Sequence, residues 1–168
     1  MKEEYFDNIR EYLATPKPAR KQKQPYKKSD SIRELERLHY ERKRLKYPDN
    51  PYLINRQFSD KSANDLTRAI VAWLELHGHF AGRVNVTGTY NHKLQKYIYS
   101  GSCKGMSDVT SVINGRHVSV EIKYGKDRMR PDQLKVKQEI EKAGGIYLVV
   151  KSFDDFLEQM KRNNLWYK

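Results

Sequence analysis

Two β-rich runs, 109–113 and 117–124, meet at the dipeptide Asn114-Gly115, and this junction constrains the fold more than any other feature of the chain. Asn-Gly is favoured in two-residue hairpin turns because both positions need a positive φ, and the resulting twist matches that of the flanking strands. A two-residue loop fixes the pairing. Ile113 faces Arg116, and counting outwards sets Val109 against Val120 and Asp108 against Glu121. Side chains alternate along a strand, so Asp108, Thr110, Ser119, Glu121 and Lys123 share one face. Val109, Ile113, Val118, Val120 and Ile122 share the other, which reads as core.

Two carboxylates facing each other across a ladder repel. A divalent cation with oxygen ligands would offset that repulsion, and Lys123 stands one side-chain repeat further on. Phosphodiester hydrolysis needs such a set: a metal to polarise the phosphate and acidify a water, and a cation to offset oxyanion charge. The plain alternative is a pair of solvated polar positions on an exposed sheet face. The apolar alternate face behind Glu121-Ile122-Lys123, with Gly105 and Ser107 flanking the aspartate, favours the site.

Around the hairpin the pattern alternates helix and strand. Leu66, Ala69, Ile70, Trp73, Leu74 and His77 recur at helical spacing, and Gly78 ends that helix. Val84 and Val86 predict a strand before Gly88, and Tyr97, Ile98 and Tyr99 a second short one. Pro131 opens a helix that Gly144-Gly145 closes, with Gln133 on a stripe with Val136, Ile140 and Ala143. The run 146–150 reads as a short apolar strand. Ser152 and Asp155 cap a last helix bearing Phe153, Phe156, Leu157 and Met160. The expected order is α-β-β-β-α-β-α, a mixed sheet flanked by helices in an α/β (α+β) domain over residues 58–168.

Residues 1–57 read as a basic, partly disordered or helical extension. It opens with an amphipathic stretch (Tyr5, Phe6, Ile9, Tyr12, Leu13). Residues 16–28 then hold three prolines, six cations and no acid, an extended solvated arm. Ser31 and Glu34 form a capping-box pattern for a helix to about Lys46, whose apolar stripe (Ile32, Leu35, Leu38, Leu45) is thin. The formal charge of +12 divides equally between residues 1–57 and 58–168. Such an excess favours a polyanionic partner through counterion release. No apolar run approaches the roughly 20 residues of a spanning helix, and no signal-peptide core follows Met1, so nucleic acid is expected rather than a membrane. The single cysteine, Cys103, excludes an intrachain disulfide and suits a cytoplasmic protein.

The segments Lys104-Gly105-Met106-Ser107-Asp108-Val109, Asn114-Gly115-Arg116, Glu121-Ile122-Lys123, Arg130-Pro131-Asp132-Gln133 and Ala143-Gly144-Gly145 together resemble the virus-type replication-repair nuclease (VRR-NUC) domain of the PD-(D/E)xK superfamily. The resemblance spans roughly residues 59–168. It implies a restriction-endonuclease-like αβββαβ core and a bacterial or phage-type enzyme. Asp108, Glu121 and the Ile122 main-chain carbonyl would ligate Mg²⁺ or Mn²⁺. Lys123 would act on the attacking water or stabilise the transition state, and Gln133 matches the family's glutamine at the start of the next helix. Asp65 stands where the family places an early helical glutamate that joins the metal ligands. It also reads as a first-turn acid favoured by the helix dipole and boxed with Ser62. Ser107 replaces the signature proline. By the same resemblance the substrate would be DNA, branched or four-way in structure, and the enzyme a homodimer. A sequence-specific or single-strand nuclease of the same fold, and a non-catalytic nucleic-acid-binding module, are the competing readings.

Further candidates for DNA contact are Arg83 and Asn85 on the strand after the first helix, and Lys104, Lys126, Arg128 and Arg130. Tyr90, Tyr97, Tyr99 and Tyr124 interleave with lysines, as suits stacking on bases and as strand residues do anyway. His77, His79, His92 and Cys103 lack the two close-spaced pairs of a structural zinc site.

Overall fold

The computed structural model describes residues 25–84, 89–98 and 104–166. Four helices and six strands are present among them: α1 (Asp30–Lys46), α2 (Ala63–Leu76), β1 (Phe80–Arg83), β2 (Thr89–Asn91), β3 (Lys96–Ile98), β4 (Val109–Ile113), β5 (Arg116–Ile122), α3 (Pro131–Lys142), β6 (Ile146–Val150) and α4 (Phe153–Arg162). No described helix is long and apolar enough to cross a membrane.

The Asn-Gly turn forms as the dipeptide requires, with φ of +51° at Asn114 and +77° at Gly115. Ile113 pairs with Arg116 and Val109 with Val120, the register counted from the sequence. The hairpin is the middle of a four-stranded mixed sheet in the order β1-β4-β5-β6. β1 runs antiparallel to β4, and β6 runs parallel to β5, setting Tyr147 beside Ser119 and Val149 beside Glu121. A parallel neighbour needs a crossover, and α3 supplies it. β2 and β3 form a separate two-stranded hairpin.

One face of the sheet, with Val109, Ile113, Val118, Val120, Ile122, Leu148 and Val150, packs under α1, α2 and α4 through Leu66, Ile70, Trp73, Phe153, Phe156 and Met160. Helix α3 covers the other face, with Val136 buried and Ala143 left exposed.

Three boundaries differ from the sequence reading. The strand after α2 is Phe80–Arg83, so Val84 follows it; Val86 and Gly88 lie outside the described residues. β5 ends at Ile122, two residues before the predicted end, because the chain turns into the loop leading to α3. Helix α1 is capped by Ser29, whose side chain accepts from the Ile32 N–H. Ser31 is turned to Asp154 in α4 instead. That tertiary contact goes with the depth of α1 in the core, where Ile32 and Leu35 are buried and only the distal Leu45 is exposed. The same helix anchors the following segment. Buried Glu36 accepts from the Phe58 N–H and from Lys28 Nζ, both at 2.6 Å. The amphipathic stretch at 5–13 and most of the arm at 16–28 lie outside the described residues.

Candidate active site

At the end of the β4–β5 hairpin the ladder stops one pair short of the two acids. Asp108 sits just before β4, and its Oδ2 accepts from the Ile122 N–H at 2.8 Å. Its own carbonyl accepts from the Val84 N–H, which ties the aspartate to the end of β1 as well. Glu121 points to the same face, and the Asp108 charge contributes to raising its pKa. Asp108 and Glu121 thus lie near one another at the open end of the hairpin.

The β5 side of the face they occupy is buried. Glu121 is 2% exposed and Lys123 3%, so Glu121 is no ordinary surface residue, while Asp108 is half-buried. Buried charges need partners, and here they share a compact set. Lys123 Nζ lies 2.8 Å from Glu121 Oε1, 2.8 Å from Gln133 Oε1 and 3.3 Å from Asp127 Oδ2. Gln133 Nε2 donates to Glu121 Oε1 at 2.5 Å. The glutamine amide has one sensible orientation. Its oxygen receives two donors, the Lys123 ammonium and the Arg130 N–H at 3.0 Å, so its nitrogen must meet the carboxylate. Gln133 is thus a bridge between the ion pair and the first turn of α3. Burial pushes the Glu121 carboxyl above its ordinary range, against the opposing pull of Lys123.

Backbone shape makes this convergence possible at one glycine. Gly105 has φ of +83°, and a Cβ there would lie 2.4 Å from the Asp132 carbonyl oxygen and 2.9 Å from the Gln133 nitrogen. With hydrogen alone at that position, the turn leading into Asp108 lies directly against the start of α3. Ser107, where the resembled signature has proline, is buried and donates to the Val109 carbonyl at 3.0 Å.

Two members of the cluster escaped the sequence reading. Tyr147 donates to Glu121 Oε2 at 3.4 Å, and burial followed by the Glu121 charge raises its own pKa. Its place is set by the parallel β5–β6 register, which has no local signal. Asp127 follows Lys123 by four residues, a spacing that says nothing in a loop.

Asp65 is not brought into this set. Its carboxylate takes the Ser62 hydroxyl at 2.8 Å and pairs with Arg68, and the Ser62 hydrogen bond is the main cause of its lowered pKa. Among the described residues no three His, Cys, Asp or Glu side chains are grouped to hold a metal. The first-turn reading of Asp65 accounts for its contacts. Arg83 donates to Asn64 at 2.7 Å, at the start of α2, while Asn85 lies outside the described residues. Lys104, Lys126, Arg128 and Arg130 are exposed in the two loops flanking Asp108 and Lys123. Tyr90 and Tyr97 stack edge-on across the β2–β3 hairpin, at a ring separation of 5.2 Å, whereas Tyr124 lies in the loop after β5 and Tyr99 outside the described residues. His77 stacks on Trp73 and hydrogen-bonds the Trp73 carbonyl, which gives it a packing role.

No family model, curated protein or solved structure matches the chain.

Proposed function

We propose that the chain is a metal-dependent nuclease built on a restriction-endonuclease-like core of the PD-(D/E)xK kind. The observation that carries this reading is the buried meeting of Glu121, Lys123 and Gln133 one ladder step from Asp108. A stable fold gains little from a buried ion pair, since apolar residues of like volume serve as well or better. Charges kept at such a cost, in a raised-pKa carboxylate next to a second carboxylate, suit a chemical role.

The donor set fits a hard divalent ion. Mg²⁺ is commonly held by one or two carboxylates, with waters and substrate phosphates completing its shell. Asp108, Glu121 and the Ile122 carbonyl are the residues that would hold Mg²⁺ or Mn²⁺, which when bound supplies charge neutralisation at the phosphate and a more acidic water. Lys123 keeps an ammonium beside the carboxylates, where it can stabilise negative charge developing on phosphate oxygens. Gln133 fixes that ammonium through Oε1, so the cation is positioned before substrate arrives. Exposed Lys104, Lys126, Arg128 and Arg130, in the loops next to Asp108 and Lys123 in the chain, suit contacts to the flanking phosphodiesters. We take DNA, branched in structure, as the substrate and a homodimer as the working form, since paired cuts in a two-fold substrate suit a two-fold enzyme.

A second reading, a nucleic-acid-binding module without catalysis, draws support from one feature: Glu121 Oε1 is already engaged by both Lys123 and Gln133. Labelled duplex, single strand, flap and four-way junction, each incubated with Mg²⁺ or with EDTA, separate the two. Cutting of the branched forms in Mg²⁺, abolished in Asp108→Asn with binding retained, is expected. Binding of all four with no cutting would leave the module reading standing.

A further inference from the structure

A second concentration of charge lies along α2, outside the buried centre, and helix α1 shows how it arises. In the first half of α1 the arginines are neutralised: Arg33 pairs with Asp30 at 2.7 Å, and Arg37 with Glu34 and Glu41 at 2.5 Å. In the last turns, Arg42, Lys43 and Lys46 have no carboxylate partner among the described residues. Arg42 donates to the Glu75 carbonyl, Lys43 to the Ile54 carbonyl, and Lys46 rests 5.3 Å from the Tyr47 ring centre. Arg56 arrives from a separate segment, held 5.1 Å from the Phe58 ring centre. These four cations line a cavity of about 470 Å³ against the C-terminal half of α2, with Glu75 its one acid. An adjoining cavity of about 390 Å³ shares Arg56 and adds Lys61 towards the first turn of α2, where Lys28 is paired with Glu36 and Arg68 with Asp65.

Cations near a helix C-terminus are ordinary, because they complement its dipole. That explains Lys43 and Lys46 but not Arg56, which belongs to no helix, nor the state of His39. The His39 Nδ1 is buried without a hydrogen-bond partner among the described residues. Burial lowers its pKa first, followed by the charges of Arg56, Lys43 and Arg42, with Glu75 acting weakly the other way. The charges of the groove thus act on the His39 imidazole, which makes it a reporter of what the groove binds. The extent of the groove favours an extended polyanion over a single small anion. Helix α2 has 14 residues, so it is about 21 Å long, the span of roughly six phosphates of one B-form strand. One nucleotide would fill a small part of it.

We propose that the groove between α1, the segment at 54–61 and α2 is a second polyanion track that holds the phosphate backbone of a nucleic acid. Its Asp65 end adjoins the centre through Arg83, which reaches Asn64, and Val84, which bonds Asp108. The partner class rests on the nuclease reading; the charge arrangement does not.

The test measures binding of a short labelled duplex by fluorescence anisotropy over a salt series, in EDTA so that nothing is cut. The groove variant carries Arg42→Gln, Lys46→Gln and Arg56→Gln. A control carries Arg33→Gln, Arg37→Gln and Arg162→Gln, three arginines paired with acids, so both lose the same formal charge. Each phosphate-contacting cation adds about one to the salt slope. The groove variant should therefore lose about three from the slope and bind about tenfold or more weakly at low salt, while the control loses less than about one. In the wild-type chain the His39 titration midpoint, read by NMR, should rise when duplex is added. Equal slopes for the two variants, or a His39 midpoint unmoved by saturating duplex, would overturn the track. Phosphatidylserine vesicles bound as tightly as duplex, and released by the same three substitutions, would overturn its assignment to nucleic acid. A chain that cuts nothing in Mg²⁺ yet shows the expected slopes would sink the nuclease reading and leave the track intact.

Discussion

Replacing Lys123 with Met keeps the aliphatic stem and removes the ammonium, and its cost follows from the burial of the pair. The two side chains are 4% and 3% exposed and 2.8 Å apart. Without the ammonium, Glu121 keeps the Gln133 amide and the long Tyr147 contact. Stranding one charge of a buried pair costs about 3–5 kcal/mol. For a chain of this length that is a fall of roughly 10 °C in Tm. Glu121 has an escape, which is to take up a proton, and burial already biases it that way. A carboxyl whose folded pKa lies above its ordinary value of 4.5 contributes stability that is present below that value and lost as pH rises through the folded one. The destabilisation in Lys123→Met should therefore be smaller at pH 5 than at pH 8. Glu121→Gln should cost less, because Lys123 retains Asp127 and the Gln133 oxygen. The double variant Glu121→Gln with Lys123→Met should return to within about 1 kcal/mol of wild type. Urea unfolding in EDTA across that pH range measures all four proteins. A Lys123→Met loss that is absent at pH 8, or equal at both ends of the range, would mean that Glu121 carries no buried charge.

Three further outcomes are expected. Gly105→Ala forces a left-handed residue and a methyl group against the Asp132 carbonyl, so stability should fall by about 1–3 kcal/mol; an unchanged urea midpoint would show that the loop does not need that contact. Mn²⁺ should raise the thermal midpoint more at pH 8 than at pH 5, because it competes with the proton on Glu121, and should do so little in Asp108→Asn; a pH-independent rise kept by that variant would place the ion elsewhere. Gln133→Ala frees the Lys123 ammonium from its positioning amide, and cutting should fall about a hundredfold with duplex affinity unchanged. Wild-type cutting by that variant would remove Gln133 from the mechanism.

Much of the candidate site was legible because its decisive information is local. A two-residue turn admits one register, and that register alone sets Asp108 near Glu121 and Lys123 on the same face. The helix opened by Pro131, the strand at 146–150 and the Ser152 cap are likewise written in neighbouring residues. Asp65 shows the limit of matching by position: its oxygens were claimed by Ser62 and Arg68, residues three apart from it on either side.

What the sequence determined by itself was the hairpin, its register and the alternation of faces, since these depend on backbone twist within a few residues. Only the tertiary structure decided that Ser119, Glu121 and Lys123 on the polar face are buried, because polarity of a side chain does not say what lies on top of it. The packing of α3 against Gly105 and the parallel alignment of β6 with β5 were decided there too. Both join segments far apart in the chain, and their geometry follows from which surfaces fit together once the core closes.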